Sequence, residues 1–356
     1  MSIWRYANRI IDVPEAARVS LGEGDTPLVK SRRLGSRLGL EHLYFKLEYV
    51  SPTGSYKDRF AAAAVSHMVA SGKTLCVATS SGNTGASLAA YCAAAGLSCT
   101  IAVVETAPAE KLVQMLAYGA TLYRVKGFGA DAAATARVFE AVRQRGTQAD
   151  AATQISAYRY SPAGMSGVET VAYELAEQLA GPIDHVFCPA GGGGLVLAVA
   201  RAFANLGRST AVECVQPEGN DTIATPLRQS ASKARDVACT TRISGLQVPS
   251  VIDGDEVIAA CRANGGTGHV VPDEEVWRVQ SLLAREEGIF SEPAGVVSVA
   301  GALKAAACGQ VRRGAVVVCL VTASGFKDRP AVERMVRGRE AELMAAAEFE
   351  ERLGKG

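Results

Sequence analysis

The sequence predicts an α/β fold in which parallel, twisted sheets carry helices on both faces. Short apolar segments of strand length alternate with longer alanine-rich segments along the 356 residues, which is the pattern of repeated strand–helix–strand units. Several apolar segments run directly into glycine-rich or serine-rich turns, and in parallel folds such turns lie at the carboxyl ends of strands, where ligands bind. The length indicates two domains or one large α/β unit.

The individual elements follow from the spacing of the apolar residues. The predicted strands are the apolar segments 75–78, 99–104, 121–125, 186–189, 211–215 and 315–321. The predicted helices between them include the segments 60–65, 86–95, 107–118, 130–145, 168–179 and 195–199. The polar segment 228–235 is predicted to be a loop, and the charged, alanine-rich tail after Arg329 to be one surface helix.

The most informative segment is Ser51-Pro-Thr-Gly-Ser-Tyr-Lys-Asp-Arg59. Turn-forming residues precede Lys57 and good helix formers follow it, so the sequence places Lys57 at a helix N-terminus. The partial positive charge at a helix N-terminus favours a neutral amine over an ammonium group, and a lysine that forms a Schiff base must be neutral. The alternative is an ordinary solvated lysine at the start of a surface helix.

Two further turns join a predicted strand to a predicted helix. The turn Ser80-Ser81-Gly82-Asn83-Thr84-Gly85 gathers hydroxyl and backbone N–H groups at a helix N-terminus, which suits an anion such as a carboxylate. The turn Gly191-Gly192-Gly193-Gly194 has the character of a phosphate cradle. Either turn alone is equally typical of a simple tight connection, so the prediction depends on their combination.

Together and in this order, these segments resemble the fold-type II pyridoxal-phosphate (PLP) enzymes, and most closely the threonine synthase group. The similarity covers nearly the whole chain and is carried by the segments 21–28, 52–59, 245–249, 292–295 and 322–328. It implies PLP as the cofactor, a small amino-acid substrate and a homodimer. It also implies two domains, which are a large PLP-binding domain of residues 1–71 and 160–356 and a small mobile domain of residues 72–159.

The resemblance implies a role for each candidate residue. Lys57 is expected to form the Schiff base with PLP and then to act as the general base at the substrate Cα. The cofactor phosphate is expected to contact the backbone of Gly191, Gly192, Gly193 and Gly194. Asn83 is expected to bind the 3′-oxygen of the cofactor, and Thr322 its pyridine nitrogen. The substrate α-carboxylate is expected to bind Ser81, Asn83 and Thr84. Glu292 matches a glutamate that lies near the cofactor ring in this family, although a loop carboxylate with no role in the site would fit the sequence equally well.

The sequence departs from threonine synthases where those enzymes hold the substrate phosphate. An arginine that follows an Asn-Pro pair in that group aligns with Gly164, and an asparagine of the cofactor loop aligns with Gly192. A phosphate dianion requires paired cations or convergent donors. Lys111 and Arg159 are the candidates to replace the arginine, and both are equally typical of solvated surface charges.

Several functions therefore remain open. One is threonine synthase chemistry, in which phosphate leaves the γ-carbon and water adds at the β-carbon. A second is β-elimination or β-replacement, as in threonine/serine dehydratases or a cysteate-synthase-like enzyme that uses O-phosphoserine, and the missing arginine and the four glycines favour it. A nicotinamide-dependent oxidoreductase fits poorly because the glycine turn lacks the G-x-G-x-x-G spacing. A non-catalytic PLP-binding regulator is the remaining alternative.

Composition argues against several other classes of protein. A net charge of +1, from 37 basic and 36 acidic residues, argues against a nucleic-acid partner. No apolar run approaches the roughly 20 residues of a membrane span, no signal-peptide pattern opens the chain, and no Cys/His spacing is typical of a zinc site. Cys76, Cys188, Cys214 and Cys319 fall at buried strand positions, which predicts free thiols and a cytoplasmic location.

Overall fold

The computed structural model describes residues 2–354. Its strands are β1 (Leu28–Lys30), β2 (His42–Leu47), β3 (Leu75–Thr79), β4 (Ser98–Val104), β5 (Thr121–Val125), β6 (Ala151–Thr153), β7 (His185–Pro189), β8 (Ala211–Pro217), β9 (Gly268–Val271) and β10 (Val316–Val321). Its α-helices are α1 (Leu34–Arg37), α2 (Lys57–Ala70), α3 (Asn83–Ala95), α4 (Ala109–Ala117), α5 (Ala132–Gly146), α6 (Pro162–Gln178), α7 (Gly194–Asn205), α8 (Ala224–Arg228), α9 (Gly254–Ala263), α10 (Asp273–Glu287), α11 (Pro293–Ala307), α12 (Arg329–Met335) and α13 (Ala346–Gly354).

The strands form two separate sheets. The six-stranded sheet has the order β1-β2-β10-β7-β8-β9, and the four-stranded sheet has the order β5-β4-β3-β6. All neighbouring strands are parallel except β1, which pairs with β2 in the antiparallel sense. The predicted α/β class with parallel sheets is confirmed, and the antiparallel edge strand is an addition that the sequence did not indicate.

The four-stranded sheet is built entirely from the segment between Leu75 and Thr153. Alternation along β3 sends Cys76 into the core beneath α3, whereas Val77 packs with Val142 of α5. Helices therefore cover both faces of this sheet. The sheet lies within the predicted small domain, and the division at residues 72 and 159, with its mobility, stays a prediction.

All six predicted strands are present, with ends that shift by one or two residues. Four short strands, β1, β2, β6 and β9, were not predicted, because segments of three to six residues with polar members carry little periodic signal. The predicted single helix after Arg329 is wrong. Two helices, α12 and α13, occupy that tail and are separated by residues 336–345, where Gly338 has a positive φ of 74°.

The packing of α2 on α6 fixes the centre of the molecule. The alanine run Ala61–Ala64 of α2 is fully buried, and α6 presents Gly164 and Gly167 to it. A Cβ at Gly164 would lie 2.5 Å from the Phe60 ring, and one at Gly167 would lie 2.2 Å from the carbonyl oxygen of Arg59. The small residues therefore allow the two helices to approach closely.

Within residues 2–354, no helix combines the length and the apolar character that crossing a membrane requires.

Candidate active site

Lys57 is the first residue of α2, as the sequence predicts. Its side chain is half-buried, its Nζ lies 2.8 Å from Ser156 Oγ, and it lies 4.6 Å from the centre of the Tyr56 ring. Ser156 belongs to the loop between β6 and α6. The amine is therefore held in place by one neutral hydroxyl and one aromatic face at the start of a helix.

The residues that flank Lys57 hold the turn in a fixed shape. Asp58 is fully buried and accepts hydrogen bonds from the Thr53 backbone N–H at 2.7 Å and the Thr53 hydroxyl at 2.6 Å. Burial raises the pKa of Asp58 to about 6, although the bonds from Thr53 oppose this shift. Arg59 is fully buried and donates to both Glu48 and Glu174. These bonds fix the direction in which Lys57 leaves the helix.

The carboxyl end of β10 runs beside the lysine turn. The Tyr56 N–H donates to the carbonyl of Thr322 at 3.0 Å, and the Ser324 N–H donates to the carbonyl of Gly54 at 2.9 Å. Ser55 and Ala323 form an isolated antiparallel bridge between the two segments. The structure thus brings Thr322, which is 5% exposed, next to the residues that lead into Lys57.

The glycine turn lies on the same edge of the large sheet, between β7 and α7. Gly193 has a positive φ of 85°, which strongly favours glycine, and a Cβ there would also meet Val257 and Ile223 at 2.7 and 2.8 Å. A Cβ at Gly192, in contrast, would meet nothing within 4 Å. The turn is thus packed on one side and open at Gly192, with its backbone accessible to a ligand.

The glycine turn and the lysine share a neighbour. A Cβ at Gly194 would lie 3.1 Å from the carbonyl oxygen of Ser156, whose hydroxyl bonds to Lys57 Nζ. A lysine amine and an open glycine backbone at a helix N-terminus are the two groups that a phosphorylated aldehyde requires. The arrangement therefore fits PLP, with Lys57 at the aldehyde end and Gly191–Gly194 at the phosphate end.

The start of α3 forms the opposite wall. Gly82 is the N-cap of this helix, and the hydroxyl of the preceding Ser80 accepts from the backbone N–H groups of Gly82 at 3.3 Å and Gly85 at 3.1 Å. Ser81 accepts from the Val104 N–H at 3.1 Å and so ties the turn to β4. Ser81, Asn83 and Thr84 are all half-buried. The Ser81 hydroxyl thus has a structural partner and keeps its own proton for donation.

Asn83 connects the two sheets at the site. Its Nδ2 donates to Glu292 Oε1 at 2.9 Å, and Glu292 immediately precedes α11. Burial raises the pKa of the Glu292 carboxyl to about 7, while Lys111, the bond from Asn83 and Lys327 oppose the shift. Glu292 thus contacts a candidate site residue and has a pKa shifted towards neutral, which is typical of groups at functional sites.

Two lysines approach this carboxyl from one side. Lys111 and Gln114 lie one turn apart on α4, hence on one face. Lys111 Nζ hydrogen-bonds to the Ser244 hydroxyl and lies 3.8 Å from Asp328 Oδ2. Lys327 Nζ lies 2.5 Å from Gln114 Oε1, and burial lowers the pKa of Lys327, while Glu292 and Asp58 oppose the shift. Both cations are thus largely enclosed beside Glu292.

The two cations proposed from the sequence, Lys111 and Arg159, lie in different environments. Lys111 is 13% exposed at its side chain and lies near Glu292. Arg159 is exposed and lines a separate surface cleft of about 310 Å³ together with Arg201 and Asp253. Gly164 is packed against Phe60, so an arginine side chain has no room at that position. Lys111 of α4 and Lys327 are the two lysines whose charges oppose the rise in the pKa of Glu292 that burial causes.

Sequence reasoning missed several residues of the site. Ser156 carries no recognisable signal, because its position depends on how β6 leads into α6. Lys327 belongs to the segment 322–328 that carried the resemblance, but the sequence offered no role for it. Ser80 accepts from a backbone N–H in the first turn of α3, which the sequence did not indicate. The roles of Lys57, Ser81, Asn83, Thr84, Gly191–Gly194 and Thr322 stay predictions, which the geometry now makes specific.

Comparisons with known proteins place the chain in a family. The family described as "Pyridoxal-phosphate dependent enzyme" matches residues 19–323. A threonine synthase of Methanocaldococcus jannaschii is 32% identical over 346 residues, which cover 94% of this chain and 82% of that protein. A threonine synthase of Halalkalibacterium halodurans is 31% identical over 337 residues, which cover 92% of this chain and 91% of that protein.

Solved structures agree on the fold. The processed form of threonine deaminase isoform 2 from Solanum lycopersicum superposes with a TM-score of 0.76 at 21% identity, covering 95% of this chain and 94% of that chain. Maize serine racemase superposes with a TM-score of 0.75 at 22% identity, covering 99% of this chain and 97% of that chain. The predicted fold type II and the predicted cofactor are confirmed, and the nicotinamide alternative is set aside. The chain belongs to the family of pyridoxal-phosphate dependent enzymes.

Proposed function

We propose that this protein is a threonine-synthase-like lyase that removes phosphate from a phosphorylated amino acid and adds water. The observation that carries the proposal is the pair of enclosed cations, Lys111 and Lys327, beside Glu292 and Asn83. Relatives named threonine synthase, at 30–32% identity over most of the chain, support the same reaction class.

When bound, PLP supplies an electron sink that makes the substrate Cα–H bond acidic. Lys57 is placed to remove and return the proton at Cα, because its amine leaves the first turn of α2 and is held by Ser156. Ser81, Thr84 and the N-terminus of α3 bind the α-carboxylate, where the helix dipole favours an anion. Together these groups fix the substrate between the two sheets.

The leaving phosphate is held by Lys111 and Lys327. Two ammonium groups offer the paired positive charge that a dianion requires. Burial lowers the pKa of Lys327, but Glu292 and Asp58 oppose this shift, and Lys111 is paired with Asp328 at 3.8 Å until a stronger anion binds. Glu292, neutral to about pH 7, holds a proton next to the Asn83 amide. Glu292 can therefore donate this proton to a substrate atom that gains negative charge during the reaction.

A second candidate is β-elimination or β-replacement on O-phosphoserine. The packed Gly164 favours it, since the arginine that threonine synthases use has no space in this chain. The same two lysines would then hold a phosphate that leaves the β-carbon. The two candidate reactions differ in the length of the substrate side chain and in whether water adds at the β-carbon.

The first experiment measures phosphate release by the PLP-loaded protein from O-phospho-L-homoserine and, in parallel, from O-phospho-L-serine. Release from phosphohomoserine with formation of threonine would support the first candidate. Release from phosphoserine alone would support the second. Release from neither would refute the proposal of a phosphate leaving group.

A variant pair tests the cation assignment. Lys111→Ala and Lys327→Ala should each raise KM for the phosphorylated substrate roughly 10–100-fold, since a charge-assisted hydrogen bond contributes about 1.5–3 kcal/mol. Lys126→Ala, at an exposed lysine directly after β5, is the control and should leave KM unchanged. An unchanged KM in both site variants would contradict the assignment.

Lys57→Ala tests the catalytic role separately. The variant should lose the visible absorption of the protein-bound cofactor and release phosphate at least about 10²-fold more slowly, which is the usual effect of removing a general base. Lys73→Ala, at a half-buried lysine just beyond the end of α2, should retain both properties. Retained turnover in Lys57→Ala would refute the mechanism.

We further infer that the protein is a cytoplasmic homodimer. All nine cysteines are free and seven of them are buried, which suits a reducing compartment. Phe326 is 88% exposed, an unusual state for an aromatic side chain that a partner subunit would explain. Light scattering during size-exclusion chromatography should give twice the 37.1 kDa mass of the chain, and a monomer mass would contradict the inference.

A further inference from the structure

Three buried cysteines of the small sheet bring their sulfur atoms together. Cys76, Cys92 and Cys99 lie on β3, α3 and β4, and their Sγ atoms all lie within 4.8 Å of one another. Cys76 and Cys99 are directly paired in register between parallel strands, so their side chains leave the same face. Cys92 reaches that face from the last turn of the covering helix. The four-stranded sheet therefore holds a three-thiol cluster.

The spacing suits one shared ion. Metal–sulfur bonds to thiolates are roughly 2.3 Å long, so three sulfurs on one ion lie at most about 4.0 Å from one another. The three sulfurs, which already lie within 4.8 Å of one another, reach this limit with shifts of under about 1 Å. Within residues 2–354 the cluster is composed of cysteines alone, which favours a thiophilic, three-coordinate ion over one that prefers oxygen or nitrogen.

Charge decides which ion fits. Cys76 and Cys92 are fully buried and Cys99 is 6% exposed, and their surroundings are apolar. Three thiolates with a monovalent or divalent ion would leave net negative charge in this core, which is costly. Three thiolates with a trivalent ion form a neutral group.

We propose that Cys76, Cys92 and Cys99 form a binding site for trivalent arsenic and ions of the same chemistry. Arsenite reacts as the neutral trihydroxide. Three As–O bonds break and three As–S bonds form, each thiol proton leaves with a hydroxide as water, and no electron is transferred. Three neutral thiols and a neutral trihydroxide thus give a neutral complex and three water molecules.

The cluster lies away from the catalytic residues. Cys76 is the second residue of β3, and the turn that begins at Ser80 lies about 13 Å further along, at roughly 3.3 Å per residue. Binding would therefore join β3, α3 and β4 at the end of the small sheet opposite the active site. Its expected effect is to stabilise this unit rather than to block the cofactor.

The test uses the reduced, PLP-loaded protein and sodium arsenite as the probe. Intact-mass spectrometry under native conditions should show one arsenic gained and three hydrogens lost per chain, with a rise in Tm. Cys92→Ala and Cys99→Ala should each lose this adduct at arsenite concentrations that saturate the unchanged protein. Any residual binding should need more than roughly tenfold more arsenite for half-saturation, because removing a direct ligand costs more than removing an outer-shell partner. Using two variants keeps the test valid if one of them fails to fold.

Cys261→Ala is the matched control, because Cys261 is also fully buried on a helix but lies outside the cluster. It should bind arsenite as the unchanged protein does. The cofactor absorption of every variant verifies folding. An adduct that loses fewer than three hydrogens, or an adduct that persists unchanged in Cys92→Ala and Cys99→Ala, would overturn the proposal.

Discussion

At the scale of single residues, Glu292 has the clearest electrostatic signature in the site. Its carboxyl is 4% exposed, and burial raises its pKa from 4.5 to about 7. Below about pH 4.5 the carboxyl is neutral in both folded and unfolded chains. As the pH rises further, the unfolded carboxyl ionises while the folded one resists until about pH 7. Glu292 therefore lowers the free energy of unfolding progressively across this window.

Glu292→Gln should remove this pH dependence. The free energy of unfolding of the variant, relative to the unchanged protein, should rise by up to about 3 kcal/mol between about pH 5 and about pH 8. Urea unfolding at both pH values measures it. Because Asp58, whose pKa burial also raises, is present in both proteins, its contribution cancels in the comparison. A difference that is the same at both pH values would show that Glu292 is ionised throughout.

At the scale of elements, glycines of two kinds shape the site. In the glycine turn, Gly193 is required by its positive φ and its packing, whereas Gly192 faces open space. In α6, Gly167 permits the close approach of α2. We expect substitutions at Gly193 and Gly167 to affect stability and a substitution at Gly192 to affect cofactor binding, so the effects should be separable.

Gly192→Ala should weaken PLP binding without weakening the fold. A methyl group would occupy the space in front of the backbone N–H groups, and losing one charge-assisted bond costs about 1.5–3 kcal/mol, or at least about tenfold in Kd. Fluorescence titration of the PLP-free protein measures the affinity. Gly193→Ala is the contrast, since its Cβ would meet Val257 and Ile223 and should lower Tm even without cofactor. An unchanged Kd in Gly192→Ala would place the phosphate elsewhere.

Gly167→Ala should separate α6 from α2. Its Cβ would lie 2.2 Å from the Arg59 carbonyl oxygen, which is backbone and cannot rotate away, so we expect a loss of at least about 2 kcal/mol in the free energy of unfolding. Urea unfolding measures this loss. Gly181→Ala, where a Cβ would meet nothing within 4 Å, should be neutral. A stable Gly167→Ala protein would mean that the helices can separate at little cost.

At the scale of the whole molecule, Arg59 joins segments that are distant in the chain. It donates to Glu48 after β2 and to Glu174 of α6, and Lys46 of β2 forms a second ion pair with Glu174 at 2.7 Å. All four side chains are at most 1% exposed. Although burial opposes it, Arg59 and Lys46 lower the pKa of Glu174 to about 2. Two cations and two carboxylates thus balance within the core, directly behind Lys57.

Arg59→Met should destabilise the protein by about 3–5 kcal/mol, because it leaves a buried carboxylate without its partner. It should also reduce cofactor loading, since Lys57 lies two residues away. Urea unfolding and the visible absorption of the cofactor measure the two effects. Arg143→Met removes an exposed pair with Glu140 and should change neither. If Arg59→Met were as stable as Arg143→Met, the buried network would carry no net stabilisation.

The sequence by itself determined the alternation of strands and helices, the position of Lys57 at a helix start and the position of the glycine turn between a strand and a helix. These features are local: they depend on propensity, periodicity and turn residues over about ten positions. The same local signals failed for the short strands β1, β2, β6 and β9 and for the divided tail. There the preference of a few residues is weak, and pairing or packing with distant segments decides the structure.

Only the tertiary structure decided which residues meet. Asn83 bonds to Glu292 across 209 positions, Lys327 bonds to Gln114 across 213, and Ser156 reaches Lys57 across 99. Cys76, Cys92 and Cys99 show no ligand spacing in the chain, yet their sulfurs converge because register in a parallel sheet and the covering helix place them together. Such contacts depend on topology and close packing, which are properties of the folded chain as a whole and leave no periodic trace in the sequence.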